Sequence, residues 1–337
     1  MPKVQRSTAA YVEGIRTGNR VVLGQAITLA ESIRPEHQAQ VQEIIFELNS
    51  RFSVPSSLRL AITGAPGVGK SSFIEALGMY LIGFGKKVAV LAIDPSSALS
   101  KGSILGDKTR MERLSAAENA FIRPSPAGDN LGGVARKTRE AILLVEAAGY
   151  DTVFIETVGV GQSETIVHRM TDLFLLLLLP GAGDELQGIK RGIVEMADIL
   201  VVNKADGDRH RLANQARAHY LNATHLLPAK GSGWSPQVLA CSAQTGAGIA
   251  EIWTAVEKFN QHVQASGYFH ENRRQQAQYW LEEALETGIR AAFFSHPFVQ
   301  AQLAALKPEV LAGRLSPFAA AERILKAVQF LPPPNGA

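Results

Sequence analysis

Between Gly64 and Ser72 the chain reads GAPGVGKSS, and Gly64, Gly69, Lys70 and Ser71 fill the pattern G-x-x-x-x-G-K-[ST]. The apolar run LRLAIT leads in and FIEALGMYL follows. A strand that breaks into glycines lets successive backbone N–H groups converge, and such donors cradle phosphate oxygens. The next helix adds its free N–H groups and positive end. On this reading Gly64, Ala65, Pro66, Gly67, Val68, Gly69, Lys70, Ser71 and Ser72 form a nucleotide-binding loop. Lys70 would neutralise the β- and γ-phosphates, and the Ser71 hydroxyl would hold Mg²⁺.

A second cluster closes the run ILVV: Asn203, Lys204, Ala205 and Asp206. This N-K-x-D is similar to the guanine-specificity motif of P-loop GTPases. A carboxylate at Asp206 can accept hydrogen bonds from the guanine N1–H and N2–H₂, which adenine cannot supply, so the unpaired carboxylate would penalise ATP. Lys204 can lie along the base while Asn203 braces the loop. Ser242, Ala243 and Gln244, after the run QVLAC, occupy the place of a companion base-binding loop.

The third cluster is Glu156-Thr157-Val158-Gly159, directly after VFI. Glu156 could hold a Mg²⁺-bound water or position the attacking water. The Gly159 N–H could sense the γ-phosphate, ordering its loop with GTP. A strand-end carboxylate with a purely structural partner is the plainer alternative for Glu156. Asp94, at the end of KKVAVLAID, is expected to contact Mg²⁺. Asp107 is balanced between a metal contact and a turn former. Lys108 and Arg110 read as solvated charges ahead of phosphate ligands. Within 180–198, Lys190 and Arg191 could relay the nucleotide state to a partner, or simply lie on an exposed turn.

The elements that must position these residues follow from hydrophobic pattern. Apolar runs at 58–63, 87–93, 120–123, 151–156, 173–179, 199–202 and 237–241 alternate with helical stretches, and several are continuously apolar, as in strands covered on both faces. Such alternation predicts an α/β fold of the P-loop NTPase type: a mostly parallel sheet flanked by helices, with ligands beyond the strands' carboxyl ends. Residues 1–55 read as a helical extension, with Val41, Ile44, Ile45, Leu48 and Phe52 on one face after Pro35. Residues 56–265 form the nucleotide domain. Residues 266–337 read as a helical arm whose stripe Ala277, Leu281, Ala284, Leu285, Gly288, Ile289 and Ala292 needs a surface to pack on, in its own domain or in a second copy.

Composition narrows the classes. The 337 residues include 46% hydrophobic and 19% charged, enough for a full core plus extensions. A net charge of +3 argues for neither nucleic acid nor membrane. The longest uninterrupted apolar run, Leu173 to Leu179, is too short to span a bilayer, and no signal peptide is apparent. One cysteine, Cys241, excludes an internal disulfide framework and suits a reducing cytoplasm. None of the eight histidines forms an i, i+4 pair on one helix. Cys241 and the three tryptophans read as packing residues.

GAPGVGKSS, AIDPSS, RPSPAGDNLGGVARKTRE, VFIETVGVGQSE, VVNKAD and CSAQTG stand in order, and together they resemble the MeaB/ArgK family of P-loop GTPases over residues 5 to 330. ETVG in place of D-x-x-G and the DNLGGVA stretch are the most distinctive features. Ala65 stands where the family usually has Val, a change the backbone cradle should tolerate. The resemblance implies a homodimer assembled partly through the C-terminal arm. It also implies an auxiliary role toward adenosylcobalamin-dependent methylmalonyl-CoA mutase, gating cofactor loading and protecting the enzyme. It makes Glu156 the catalytic carboxylate of switch II, brings Asp94 and Asp107 toward Mg²⁺, and places Lys190 in a third switch. Two alternatives are a kinase or ATPase acting on a periplasmic lysine/arginine/ornithine transport component and a metallochaperone GTPase. NKAD weighs against the first, and the absence of His tracts or Cys/His clusters against the second.

Overall fold

The computed structural model describes residues 6–51, 57–93, 111–124, 131–157, 163–181 and 191–327. The chain divides into two compact units, up to Gln276 and from Ala277 onward.

The first unit is built on seven strands: β1 (Leu58–Gly64), β2 (Val88–Ile93), β3 (Ala120–Arg123), β4 (Thr152–Thr157), β5 (Leu173–Leu178), β6 (Ile199–Val202) and β7 (Gln237–Ala240). Each lies within one residue of its expected bounds. They form one sheet in the order β3-β2-β4-β1-β5-β6-β7, parallel at every pairing. Parallel pairing needs helical crossovers on both faces, which is why β1, β2, β4, β5 and β6 are buried along their whole length. Register sets the carboxyl edge: Ile62 pairs with Glu156, and Gly64 with Leu177.

The helices, in chain order, are α1 (Thr8–Arg16), α2 (Arg20–Ala30), α3 (Pro35–Arg51), α4 (Lys70–Gly83), α5 (Glu112–Ala116), α6 (Leu131–Ala147), α7 (Ser163–His168), α8 (Arg191–Met196), α9 (His210–Thr224), α10 (Ile249–Ala265), α11 (Tyr268–Ser295), α12 (Pro297–Leu311) and α13 (Pro317–Ala327). The first three pack on one another and on α6. Ser7 and Asn19 start α1 and α2 by accepting from backbone N–H groups with their side chains. Pro35 opens α3, whose Val41, Ile44, Ile45 and Leu48 are buried as the spacing predicts; Phe52 lies outside the described residues. In the second unit α12 packs on α13, burying Val299, Ala320 and Ile324. The stripe on α11 stays open, with Leu281, Leu285 and Ile289 exposed at 60, 55 and 59%. Among the described residues no helix is long and apolar enough to cross a membrane.

At the amino edge of the sheet sits a buried ion network. Arg59, the charged residue of the buried β1, forks onto Glu146 of α6 through two contacts of 2.7 Å. Arg273 of α11 forks onto Asp172 at 2.6 and 2.7 Å and donates to the Ser57 carbonyl at 3.0 Å. Asp172 also accepts from the Arg59 backbone N–H at 2.8 Å, and Ser57 donates its hydroxyl to Glu146. Every charge here is held by two or more partners, the condition under which burying ions is tolerable.

Removing Arg273 would leave Asp172 buried without its guanidinium. Arg273→Ala is expected to cost about 3–5 kcal/mol of unfolding free energy, measured by urea denaturation. Burial alone would raise the Glu146 pKa, but the Arg59 fork, the charge of Arg273 and the Ser57 hydroxyl hold it below its ordinary value. A depressed folded-state pKa contributes stability in full above the ordinary carboxylate range, and loses it as pH falls through the folded value. Stability should therefore fall on acidification below about pH 4.5, and less steeply in Arg273→Ala; an unchanged acid slope would contradict the coupling.

Candidate functional site

β1 delivers its last residue, Gly64, to the middle of the carboxyl edge. A Cβ there would stand 2.6 Å from the Leu177 carbonyl oxygen of β5, so only glycine lets the loop leave the strand this close to its neighbour. Gly69 has φ of 95°, and a Cβ would lie 2.8 Å from the Asn203 amide nitrogen. Between them Val68 N–H donates to the Ala65 carbonyl at 3.2 Å, and Phe73 N–H to Gly69 at 2.9 Å as α4 begins. Val68 is buried, while Pro66, Gly67 and Ser72 face solvent. The Lys70 ammonium folds over the loop, donating to the carbonyls of Gly64 at 2.8 Å and Ala65 at 3.3 Å. Burial lowers its pKa, and the carboxylates of Glu156 and Glu164 act against that shift.

Glu156, next to last in β4, is 5% exposed, and Ser71 donates its hydroxyl toward it at 3.4 Å. The two strands that carry these loops are further joined by a buried hydroxyl pair, Thr157 donating to Thr63 at 2.7 Å. Ser71 and Glu156 offer hard oxygen donors only. That set fits Mg²⁺, which takes one or two protein oxygens and completes its shell with water and phosphate. Among the described residues no three His, Cys, Asp or Glu side chains gather as a metal site. Asp94, Asp107, Gly159 and Lys190 lie outside the described residues.

Beyond β6 the base-loop residues meet the phosphate loop. Asn203 is buried; its amide N–H donates to the Val68 carbonyl at 2.9 Å, and its amide oxygen accepts from Ala243 N–H at 3.1 Å. Lys204 adopts φ of 59° and donates to the Gly67 carbonyl at 2.7 Å. Ala205 N–H donates to the Cys241 carbonyl at 2.9 Å. Ser242 donates its hydroxyl to Asp206 at 2.5 Å and accepts from Thr245 N–H at 3.2 Å, so the carboxylate is fixed by the neighbouring loop. Gln244 is exposed. Burial pushes the Cys241 thiol up to about 12, so it stays protonated and inert.

The structure thus gathers Lys70, Ser71 and Glu156 around the phosphate loop, and ties Asn203, Lys204, Asp206, Ser242 and Ala243 together beside it. Glu164 was not singled out in the sequence. In α7, with 1% exposure, it acts on the Lys70 charge. Its only local sign is an acid in the first turn of a helix that closely follows ETVG, which reads equally well as a capping preference.

A parallel sheet with this loop at its centre and a strand-end Asn-Lys-x-Asp beside it defines a P-loop GTPase, which binds GTP and GDP. The family model described as methylmalonyl Co-A mutase-associated GTPase MeaB matches residues 23–297, and the chain belongs to that family. Relatives agree along nearly the whole length. A probable GTPase of Mycobacterium tuberculosis, Rv1496, is 49% identical over 315 residues, 93% of this chain and 92% of that protein. GTPase ArgK of Escherichia coli is 46% identical, with 92% and 94% covered. The mouse methylmalonic aciduria type A homolog, a mitochondrial protein, is 45% identical, with 96% and 80% covered. A solved structure described as a LAO/AO transport system kinase superposes with a TM-score of 0.73 at 40% identity, covering 95% of this chain and 97% of that one.

Asn203 links three loops through one side chain. Asn203→Ala leaves a buried carbonyl and a part-buried N–H unpaired, and should cost about 1–3 kcal/mol of stability in thermal or urea unfolding. GDP affinity, read by fluorescent-nucleotide displacement, should drop by about tenfold or more. Wild-type affinity in that variant would show that the bridge does not set the loops.

Proposed function

We propose that the chain hydrolyses GTP to GDP and phosphate with Mg²⁺ as a homodimeric, cytoplasmic chaperone of methylmalonyl-CoA mutase. In this role it gates adenosylcobalamin loading and protects the mutase from inactivation. The observation that carries the GTP reading is Asp206, fixed by Ser242 beside a loop that Asn203 and Lys204 tie to the phosphate cradle. The mutase role is supported by the family description and by the mouse relative's name.

In this reading the backbone N–H groups of 64–72 and the Lys70 ammonium hold the β- and γ-phosphates, and Asp206 reads the guanine edge. The Ser71 hydroxyl and the Glu156 carboxylate would hold Mg²⁺, which supplies charge neutralisation on the phosphates. Glu156 also orients the attacking water in line with the γ-phosphate. Asp94 and Asp107 would approach the ion, Gly159 would sense the γ-phosphate, and Lys190 would pass the state to the mutase. The exposed stripe of Leu281, Leu285 and Ile289 supports self-association of the arm, because such a face on a lone helix is costly to leave in water. Neither nucleic acid nor membrane is a partner in this reading.

A second reading, a kinase acting on a transport component, is favoured by the description of the solved relative. A fixed carboxylate in the base loop opposes it, since that group repels the adenine edge. Preferential ATP turnover with phosphate ending on a protein would establish it.

Lys70→Ala should lower GTP turnover by about 10²-fold or more in a phosphate-release assay, and wild-type turnover would refute the phosphate-loop assignment. Asp206→Asn should cut the preference for GTP over ATP by about 10²-fold or more in competition binding. The partner role is tested by capture from the source cell: a cobalamin-dependent mutase should be retained, to different extents with GDP and with a GTP analogue. Its absence from both would remove the chaperone reading and leave the GTPase intact.

A further inference from the structure

β3 is an edge strand of the sheet and pairs only with β2. Its short ladder fixes which backbone groups point outward. Val88 N–H donates to the Asn119 carbonyl at 2.9 Å, and parallel pairing then turns Phe121 and Arg123 toward β2 as well. Ala120 and Ile122 alternate with them and direct their backbone groups to the open edge. The Ala120 N–H turns back to the Ala117 carbonyl at 3.3 Å. The Ala120 carbonyl and both backbone groups of Ile122 have no hydrogen bond among the described residues. Pro124 closes the edge, because it has no N–H to offer.

α2 runs beside this edge and is pinned to it at two points. Arg20 donates to the Ala117 carbonyl at 3.2 Å, ahead of the strand. Arg123, at the strand's end, donates to the Glu31 carboxylate at 2.8 Å and to the Thr28 hydroxyl at 3.1 Å. Between the pins lies a slot of about 420 Å³, lined by Val21, Gly24 and Gln25 of α2, Phe121 and Ile122 of β3, and Ser115 of α5. The Phe121 and Ile122 side chains are themselves buried, Phe121 against the Tyr150 ring and Ile122 in the core that holds Val90 and Leu114. What β3 presents to the slot is therefore its backbone edge, and α2 adds an apolar rim at Val21, which is 66% exposed.

The charge of the slot is positive. Arg20 and Arg123 are the charged residues of its wall, and Glu31 matches Arg123. Arg20 makes no ion pair among the described residues, Glu118 beside Ala117 included. At the rim Arg6 donates to the Gln25 amide oxygen at 2.8 Å and likewise has no carboxylate among the described residues. A small anion would answer a guanidinium and leave the strand edge unpaired. An extended chain with an acidic side chain answers both.

We propose that this slot binds a short extended peptide segment of a partner protein, which adds to β3 as a further strand and brings a carboxylate to Arg20. The pairing uses the Ala120 carbonyl and the Ile122 N–H and carbonyl, and Pro124 stops it there. A ladder this short gives modest affinity from the backbone, so the acidic side chain carries much of the selectivity.

The test uses the full chain bound to GDP. The probes are the acetylated, amidated hexapeptide Glu-Thr-Val-Thr-Val-Thr and its reverse, which cover both directions of pairing. In amide-shift NMR titrations at least one should bind saturably with Kd at or below about 1 mM, shifting the amides of Ile122 and of α2 around Gly24. Replacing its Glu by Gln should weaken binding about threefold or more, and Arg20→Gln should abolish that difference. Full N-methylation of the peptide backbone should weaken binding about fivefold or more. A Cβ at Gly24 meets nothing within 4 Å, so Gly24→Leu enters the slot without displacing a neighbour, and it should weaken binding about tenfold or more. Folding of both variants is checked by a cooperative melt, and Arg20→Gln carries the comparison if Gly24→Leu does not fold. Failure of both peptides to saturate, shifts that spare Ile122, equal binding of the Gln or N-methylated peptide, or displacement by inorganic phosphate at equal concentration would overturn the proposal.

Discussion

The site depends on one buried carboxamide. Asn203 gives its N–H to the Val68 carbonyl in the phosphate loop and takes the Ala243 N–H from the loop after β7. Two loops that never meet in sequence are thereby held at a fixed spacing. An amide can do this because it donates and accepts in one plane, and burial makes both bonds matter more than they would in water. Lys204 repeats the link on the outside through the Gly67 carbonyl, at the cost of a left-handed backbone. Asp206 is then the free variable of the loop, and Ser242 removes that freedom.

At the other edge, Arg59, Glu146, Asp172 and Arg273 do for the scaffold what Asn203 does for the site. β1 runs between the two, with Arg59 near its start and Gly64 at its end. The strand that carries the phosphate loop is therefore anchored at its entry by a guanidinium fork and at its exit by contact with β5 and β4. A central strand fixed at both ends is a rigid mount, and rigid mounts are what a backbone cradle needs, since its donors cannot rotate independently to find a phosphate.

The strands were legible because burial on both faces writes itself as an unbroken apolar run, of which LFLLLL is the extreme case. The phosphate and base loops were legible because their chemistry is compressed into adjacent residues. The ion network was not. Ser57, Arg59, Glu146, Asp172 and Arg273 are scattered over more than two hundred positions, and each looks locally like a strand-edge or helix-surface residue. Only the parallel order of the sheet brings them together. Glu164 was hidden for a related reason: an acid in the first turn of a helix is so common that its burial beside a lysine leaves no mark in the sequence. Sequence thus shows functions made by neighbours in the chain and conceals those made by neighbours in space.

The electrostatics around Lys70 show why this matters for chemistry. Burial lowers the Lys70 pKa, while the charges of Glu156 and Glu164 oppose that shift and favour the ammonium. A triphosphate brings several more negative charges to the same place. Bound at the phosphate loop, it would trade the carboxylates' hold on Lys70 for the phosphates' hold and leave Glu156 and Glu164 facing an anion. A cation held by Ser71 and Glu156 would relieve that repulsion, which is a physical reason for the site to need one.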